Sequence, residues 1–175
     1  MNLIISFSGR TKGNCDRVAD FISNPNDEII YFRDKSIHGC SNCEYECLYS
    51  KCKYREDDIY GIYDSMLGFD KVVLIVPMYC GNPSSLYFIF NERCQDYFMH
   101  NEDKYEDILS RLYIIGIYGN RESTPDFIPC FEKWFECSEY ENRVLGIERH
   151  KYHQKPEDSV LDEEEVRIIL KNFLA

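Results

Sequence analysis

The sequence predicts an α/β protein: a doubly wound sheet of five parallel strands in the order 2-1-3-4-5, with helices on both faces. Three observations predict it. Apolar runs of strand length alternate along the chain with segments whose apolar residues recur at helical spacing, and such alternation leads to parallel strands joined by right-handed crossovers. The strand runs are apolar at consecutive positions, as strands covered on both sides must be, and residues 71–76 (Lys-Val-Val-Leu-Ile-Val) show this most clearly. A chain of 175 residues, 44% of them hydrophobic, suffices for one domain with a sizeable core.

Taken in order, residues 3–7 are the first strand, followed by a polar loop from Ser8 to Asn14. Cys15, Val18, Ala19 and Ile22 then mark one face of a helix. Residues 28–32 are the second strand, and 38–58 are a long cysteine-rich loop without clear periodicity. Residues 58–67 form a helix with Ile59, Ile62, Tyr63 and Met66 on one face. The strand at 71–76 is expected to end at Pro77, and a helix over 84–97 stacks Leu86, Phe90 and Cys94 every four residues. Residues 112–118 are the fourth strand, after which Gly119-Asn120 turns the chain. A helix over 127–137, a fifth strand at 143–148 and a closing helix over 162–174 with an acidic first turn complete the pattern. No repeat, low-complexity tract or linker divides the chain, so 1–175 reads as one domain carrying an insertion at 38–58.

Charge narrows the function. A formal net charge of -11 argues against nucleic acid and against anionic lipid as partners, and reads as solubility. No run approaches the ~18 consecutive apolar residues of a membrane helix. The first residues lack the basic start and small-residue cleavage site of a signal peptide, so a cytoplasmic location is expected. In that setting the 9 cysteines read as metal ligands or free thiols rather than disulfides. The 14 tyrosines are mostly packing residues, although such a surface also stacks on planar rings.

Ligands of open α/β sheets bind beyond the carboxyl ends of the strands, where three polar loops lie. Ser8 to Cys15 offers hydroxyls, glycines, Asn14 and the cations Arg10 and Lys12 at the start of a helix, a setting for a phosphate. It is neither G-x-x-x-x-G-K-[ST] nor G-x-G-x-x-G, and the plainer reading is an ordinary βα turn. Residues 77–84 (Pro-Met-Tyr-Cys-Gly-Asn-Pro-Ser) make a rigid loop whose backbone suits the rim of a flat ring, or simply a strand cap. The third loop, from Gly119 and Asn120 to Thr124, is generic.

The first loop resembles the G-S-P-R-x-x-G-N-T segment of NADPH-dependent FMN reductases and related flavodoxin-like proteins. Ser8, Arg10 and the Gly13-Asn14 pair match it, while Gly9 replaces the proline and Cys15 stands where Thr or Ser is usual. Pro77, Tyr79 and Gly81 resemble the P-x-Y segment of the same family, and Phe69-Asp70-Lys71 resembles its A-D-x before the third strand. The resemblance implies a flavodoxin-like three-layer sandwich. It implies FMN with its phosphate on Ser8, Arg10, Gly13, Asn14 and Cys15. The ring would lie against Pro77, Met78, Tyr79, Cys80, Gly81 and Asn82 and against Gly119 and Asn120. It further implies an oxidoreductase that uses NAD(P)H, takes a small-molecule donor and acceptor, and forms a homodimer.

Cys40, Cys43, Cys47 and Cys52 are spaced C-x2-C-x3-C-x4-C, close enough to surround one zinc or one [4Fe–4S] centre. The cluster resembles that of iron-sulfur flavoproteins but departs from their C-x2-C-x2-C at the third cysteine. A thiol-bearing lid over the flavin is the alternative, and in either form the loop is expected beside the cofactor. The remaining cysteines read as packing, with Cys15 and Cys80 set apart by their place in the cofactor loops. His38, His100, His150 and His153 have no triad or metal spacing. Three rival functions remain: an electron-transfer flavodoxin, although its T-x-T-G-x-T loop is missing, an iron-sulfur flavoprotein-type carrier, and a cofactor-free flavodoxin-like binding module.

Overall fold

The apolar runs become neighbouring strands of one sheet. The computed structural model describes residues 1–41, 43–99, 101–119, 126–136, 138–155 and 157–175. The first half contains β1 (Asn2–Ser6), α1 (Asn14–Ile22), β2 (Glu28–Tyr31), α2 (Glu46–Tyr49), α3 (Asp58–Met66), β3 (Lys71–Tyr79) and β4 (Asn82–Pro83). The second half contains α4 (Ser85–Met99), α5 (Glu102–Arg111), β5 (Leu112–Tyr118), α6 (Phe127–Glu132), β6 (Val144–Glu148) and α7 (Glu164–Phe173). The strands lie in the order β2-β1-β3-β5-β6, all parallel, with the short β4 antiparallel to β3. Counting the parallel strands alone, this is the expected 2-1-3-4-5 order.

Side chains alternate between two buried layers. Leu3, Ile5, Val72, Leu74, Val76 and Ile114 face one cluster, packed under α3, α4, α5 and α6. Ile4, Val73, Ile75, Ile115, Ile117 and Ile147 face the other, under α1 and α7. Phe7, just past β1, anchors the first layer: its ring meets Phe32, Phe90 and Tyr87 at 4.9, 5.2 and 5.7 Å. Among the described residues no helix is long and apolar enough to cross a membrane.

The structure departs from the sequence reading at four places. β3 does not end at Pro77 but runs to Tyr79, with Pro77 opposite Ile117 of β5. Pairing with β1 stops at Ser6–Ile75, so at Pro77 the strand has no β1 partner to which a missing N–H would matter. Cys80 and Gly81, both at positive φ (50° and 82°), then form the two-residue turn of a β3–β4 hairpin, a geometry in which glycine is favoured. The helix α5 has no counterpart in the sequence reading, although Tyr105, Ile108 and Leu109 give it an apolar face. The helix expected over 127–137 stops at Glu132, and the loop at 38–58 contains the single-turn α2. Asn120, with 121–124 of its loop, His100 and Cys137 lie outside the described residues.

Gly116 in β5 lies under α6, where a Cβ would come within 2.7 Å of both Ile128 Cδ1 and Phe127 Cε1. Gly116→Ala is therefore expected to destabilise the fold by about 1–3 kcal/mol through overpacking. Urea unfolding checks this, and an unchanged midpoint would show that α6 is not packed this closely on β5.

Candidate functional site

The site begins with the turn that joins β1 to α1. Gly13 is the extended residue before α1, and the first turn of that helix points unsatisfied amides back over the carboxyl end of β1. The preceding loop is held rigidly. Ser8 Oγ accepts from the Arg10 amide and donates to the Arg10 carbonyl, each at 3.1 Å. Beneath it the buried carboxylate of Asp16 accepts from Ser6 Oγ (2.8 Å), the Lys12 amide (2.8 Å) and Arg33 Nη1 (3.0 Å). Arg33, just after β2, also reaches the carbonyls of Ser8 and Arg10 at 3.3 and 3.4 Å.

Lys12 sits in this loop at φ 56°, a left-handed conformation that favours glycine. Its amide is fixed by Asp16, and its ammonium group makes no hydrogen bond or ion pair with any described residue. The same is true of the Arg10 guanidinium.

These residues form one wall of a cleft of about 260 Å³. Ser8, Arg10, Gly13, Asn14, Cys15, Pro77, Met78, Tyr79 and Gly119 all line it, which brings the three expected loops to one place. Cys80, Gly81 and Asn82 form the hairpin tip beyond Tyr79 and are not part of the wall, while the Asn82 side chain turns back to the Cys80 carbonyl (3.1 Å).

Two expected side chains are used differently from the sequence reading. The Asn14 amide donates to the Asp158 carbonyl (3.1 Å) and accepts from the Val160 N–H (2.9 Å), pinning the segment that leads to α7. The Cys15 thiol is buried among α1 and α7 side chains, and that burial, with Asp16 adding to it, pushes it far above the ordinary thiol range. Both residues present backbone, not side chain, to the cleft. The sequence reading missed Arg17, Tyr118, Arg149 and Glu157, which also line it. Arg149 directly follows β6, so the position rule for strand ends would have found it.

The cysteine loop lies elsewhere. Cys40, Cys43, Cys47 and Cys52 line a second cavity of about 400 Å³ against Glu92, Arg93, Gln95 and Asp96 of α4. Arg93 fastens the loop there, donating to Asp57 Oδ2 (2.8 Å) and to the carbonyls of His38 (2.9 Å) and Tyr54 (3.0 Å). The Cys40 amide donates to Glu92. Burial first, then Glu92 and the neighbouring thiols, raises the Cys40 thiol above its ordinary range, and Cys47 is raised by burial, Asp96 and the other thiols. Among the described residues no three of His, Cys, Asp or Glu are gathered closely enough to hold a single metal ion. No described residue of 38–58 lines the first cleft, so the expected position beside it is not found. The α4 residues of that cavity begin at Glu92, seven residues or ~10 Å of helix along, and a Cβ on Gly39 of the loop would stand 3.6 Å from Ile89 Cγ1.

The strand order reverses between β1 and β3, and the first cleft opens beside that switch point, where sheets of this order take their ligands. Solved structures share the arrangement. The Trp repressor binding protein of Bacillus subtilis superposes with a TM-score of 0.70 at 16% identity, over 100% of this chain and 98% of that one. The fold is flavodoxin-like. An FMN-dependent NADH-azoreductase of Bacillus anthracis, solved with FMN, gives 0.62 at 13% identity over 99% of both chains. RosB, solved with 8-demethyl-8-formylriboflavin-5'-phosphate, gives 0.63 at 12% identity over 97% of this chain and 75% of that one. No family model matches the sequence, and no curated protein matches it.

The left-handed Lys12 yields a test of whether the loop is strained in favour of a charge. Lys12→Gly is expected to stabilise the protein by about 0.5–1 kcal/mol, the relief at φ exceeding glycine's entropy cost. Thermal unfolding of the ligand-free protein reads it out, and a loss of stability would mean that the lysine side chain supports the fold.

Proposed function

We propose that the chain is an FMN-binding oxidoreductase that takes a hydride from NADH or NADPH and passes the electrons to a small-molecule acceptor. One observation carries the reading. In a chain of net charge -11, the cations Arg10 and Lys12 have no partner among the described residues and stand beside the amide donors of a helix start, at the switch point of a flavodoxin-like sheet. Unpaired cations and orphan amides converging in one cleft suit a phosphate dianion. The flavin phosphates bound by the azoreductase and RosB structures support FMN as the group.

Bound FMN supplies hydride acceptance and electron release, the chemistry that side chains lack. The residues of the chain do the rest. The loop from Ser8 to Cys15 holds the phosphate, with Arg10 and Lys12 neutralising it and Thr11, Gly13, Asn14 and Cys15 offering backbone. Pro77 to Tyr79, with the hairpin tip of Cys80, Gly81 and Asn82 beyond them, and the Tyr118–Gly119 end of β5 flank the flat ring. Asp16 and Arg33 keep the loop in its binding shape before the cofactor arrives, which lowers the cost of ordering it.

Fluorescence titration tests the assignment. Arg10→Ala is expected to weaken FMN binding about 10-fold or more, Lys12→Gly similarly, while riboflavin, which lacks the phosphate, binds nearly as before. Equal losses for FMN and riboflavin would remove the phosphate from this loop. Anaerobic mixing of the loaded protein with NADH or NADPH should bleach the flavin absorbance, and bleaching by neither would leave a binding role only.

The four thiols that share one cavity leave a second reading of the loop open to test. Cys40, Cys43, Cys47 and Cys52 match the donor count of a [4Fe–4S] cluster, but no three such groups among the described residues are gathered closely enough for a single metal ion, and burial raises the Cys40 and Cys47 thiols. Iron and sulfide analysis after anaerobic purification decides it: neither metal nor sulfide is the expected outcome and leaves the loop as thiols, whereas about four of each per chain would place a cluster there.

A further inference from the structure

Arg149 gives the cleft a second cationic pole. It is the first residue after β6, in the 3-10 turn Arg149–Tyr152, and it lines the same cleft as the β1–α1 loop. Its guanidinium lies across the backbone of Gly119 at the end of β5. A Cβ on Gly119 would stand 2.7 Å from Nη2, 3.4 Å from Cζ and 3.5 Å from Nε, so the guanidinium rests directly on the glycine backbone. It makes no side-chain hydrogen bond or ion pair with any described residue. A half-buried arginine with five donors, none of them bonded to a described residue, can take a ligand group, although Glu148, paired with Tyr118, is a carboxylate close by.

Where that ligand group lies follows from the sheet. The phosphate loop stands over β1, and Gly119 closes β5, two strand positions away through β3. The two strands are ~10 Å apart. A phosphate held on the β1–α1 loop leaves the Gly119 end of the cleft to another part of the ligand. In FMN, the ribityl chain separates the phosphate from a ring that has one apolar edge and one polar edge. The polar, pyrimidine edge carries N1 and the C2 carbonyl, the acceptors a guanidinium would meet.

We propose that Arg149 faces the pyrimidine edge of the bound flavin and holds the negative charge that appears there on reduction, so that it sets the redox potential of the cofactor. The inference rests on the reading of the cleft as an FMN site. Uptake of a hydride, two electrons and one proton, from a reduced nicotinamide leaves the donor oxidised and the previously neutral ring with one negative charge spread over N1 and C2=O. Arg149 stabilises that charge, and no second proton is then required at N1. Among the described residues the other charged or titratable groups around the cleft are Arg10, Lys12, Arg17 and Glu157, the Cys15 thiol and the hydroxyls of Tyr79 and Tyr118, with Glu148 behind Tyr118. Glu157 is the one carboxylate of these that lines the cleft, on the segment pinned by Asn14 and Arg17 rather than on the Gly119 wall.

The test compares wild type with Arg149→Gln and Arg149→Lys, each loaded with FMN and reduced against a reference dye. Arg149→Gln is expected to weaken binding of reduced FMN about tenfold relative to oxidised FMN, the size of a hydrogen bond to a charged group. That ratio corresponds to a two-electron potential more negative by about 30 mV. Arg149→Lys, which keeps the charge, should recover most of it. Near neutral pH the Gln variant should take up more than one proton with its two electrons, and the wild type one. Riboflavin should show the same reduced-to-oxidised shift as FMN. An unchanged ratio in a folded Arg149→Gln protein, or an equal loss for both redox states confined to FMN, overturns the proposal and in the second case moves Arg149 to the phosphate. Wild-type protein that binds no flavin at all instead overturns the reading of the cleft, and this inference with it.

Discussion

The carboxylate of Asp16 joins three segments that the chain brings in from different places. It takes a hydroxyl from the end of β1, an amide from the loop after β1, and a guanidinium from the end of β2. Ser6 is fully buried and the Arg33 side chain largely so, and the carboxylate that serves both is 4% exposed as a residue. Taking Asp16 away would leave the largely buried Arg33 with the exposed Asp34, at 3.8 Å, as its remaining ion-pair partner among the described residues, a loss of up to about 3–5 kcal/mol where such pairs have been broken. The shape of the loop depends on it as well. Lys12 can hold its left-handed backbone only because its amide is fixed from below, and the carbonyls of Ser8 and Arg10 are turned away from the cleft toward Arg33. What then faces the cleft is amides and cations.

This arrangement reconciles an acidic chain with an anion-binding cleft. At physiological ionic strength charges more than ~8 Å apart across solvent are largely screened, so remote carboxylates count for little at the loop. Local groups decide. Among the described residues Arg10, Lys12, Arg17 and Arg149 line the cleft against one carboxylate, Glu157. Much of the acidic excess lies in other places, such as Glu102 and Asp103 in the first turn of α5 and Glu164 and Glu165 in that of α7, where each complements a helix dipole. On the proposed reading, the cleft takes a small anion in spite of the overall negative charge.

The sheet was legible because its signal is local. Runs such as Leu3–Ile5 and Val72–Val76 are apolar at every position, which only a doubly covered strand requires, and the order 2-1-3-4-5 follows from crossovers of one hand. The three loops at the strand ends were legible for the same reason. What sequence could not convey was which way individual side chains turn. Asn14 matches a binding motif, yet its amide is spent on Asp158 and Val160, residues more than 140 positions away. Arg149 carries no motif and is distinguished only by landing opposite Gly119. The helix α5 was hidden by its polarity: Tyr105, Ile108 and Leu109 are its packed apolar residues amid seven charged or polar ones. Pro77 misled because proline breaks a ladder only where an N–H is needed, and that depends on where β1 stops.

The position of the cysteine loop shows how one buried charge redirects a long segment. Strand-end geometry alone points a loop after β2 toward the cleft. Arg93 of α4 outweighs it. The residue is 2% exposed, and a guanidinium so deeply placed must find acceptors, which the loop supplies through Asp57 and the carbonyls of His38 and Tyr54. Asp57 at the same time caps α3 by accepting from the Ile59 amide, so the loop is fixed at its exit to the helix that follows. The thiols are thereby gathered on the middle of α4, while the start of that helix is tied to β1 by Ser84 Oγ, which donates to the Phe7 carbonyl at 2.8 Å. The cleft and the thiol cavity share no lining residue. α4 lines the thiol cavity and not the cleft, and Phe90 packs it against Phe7 and Phe32, so a ligand in one cavity would act on the other through that helix and the end of β1.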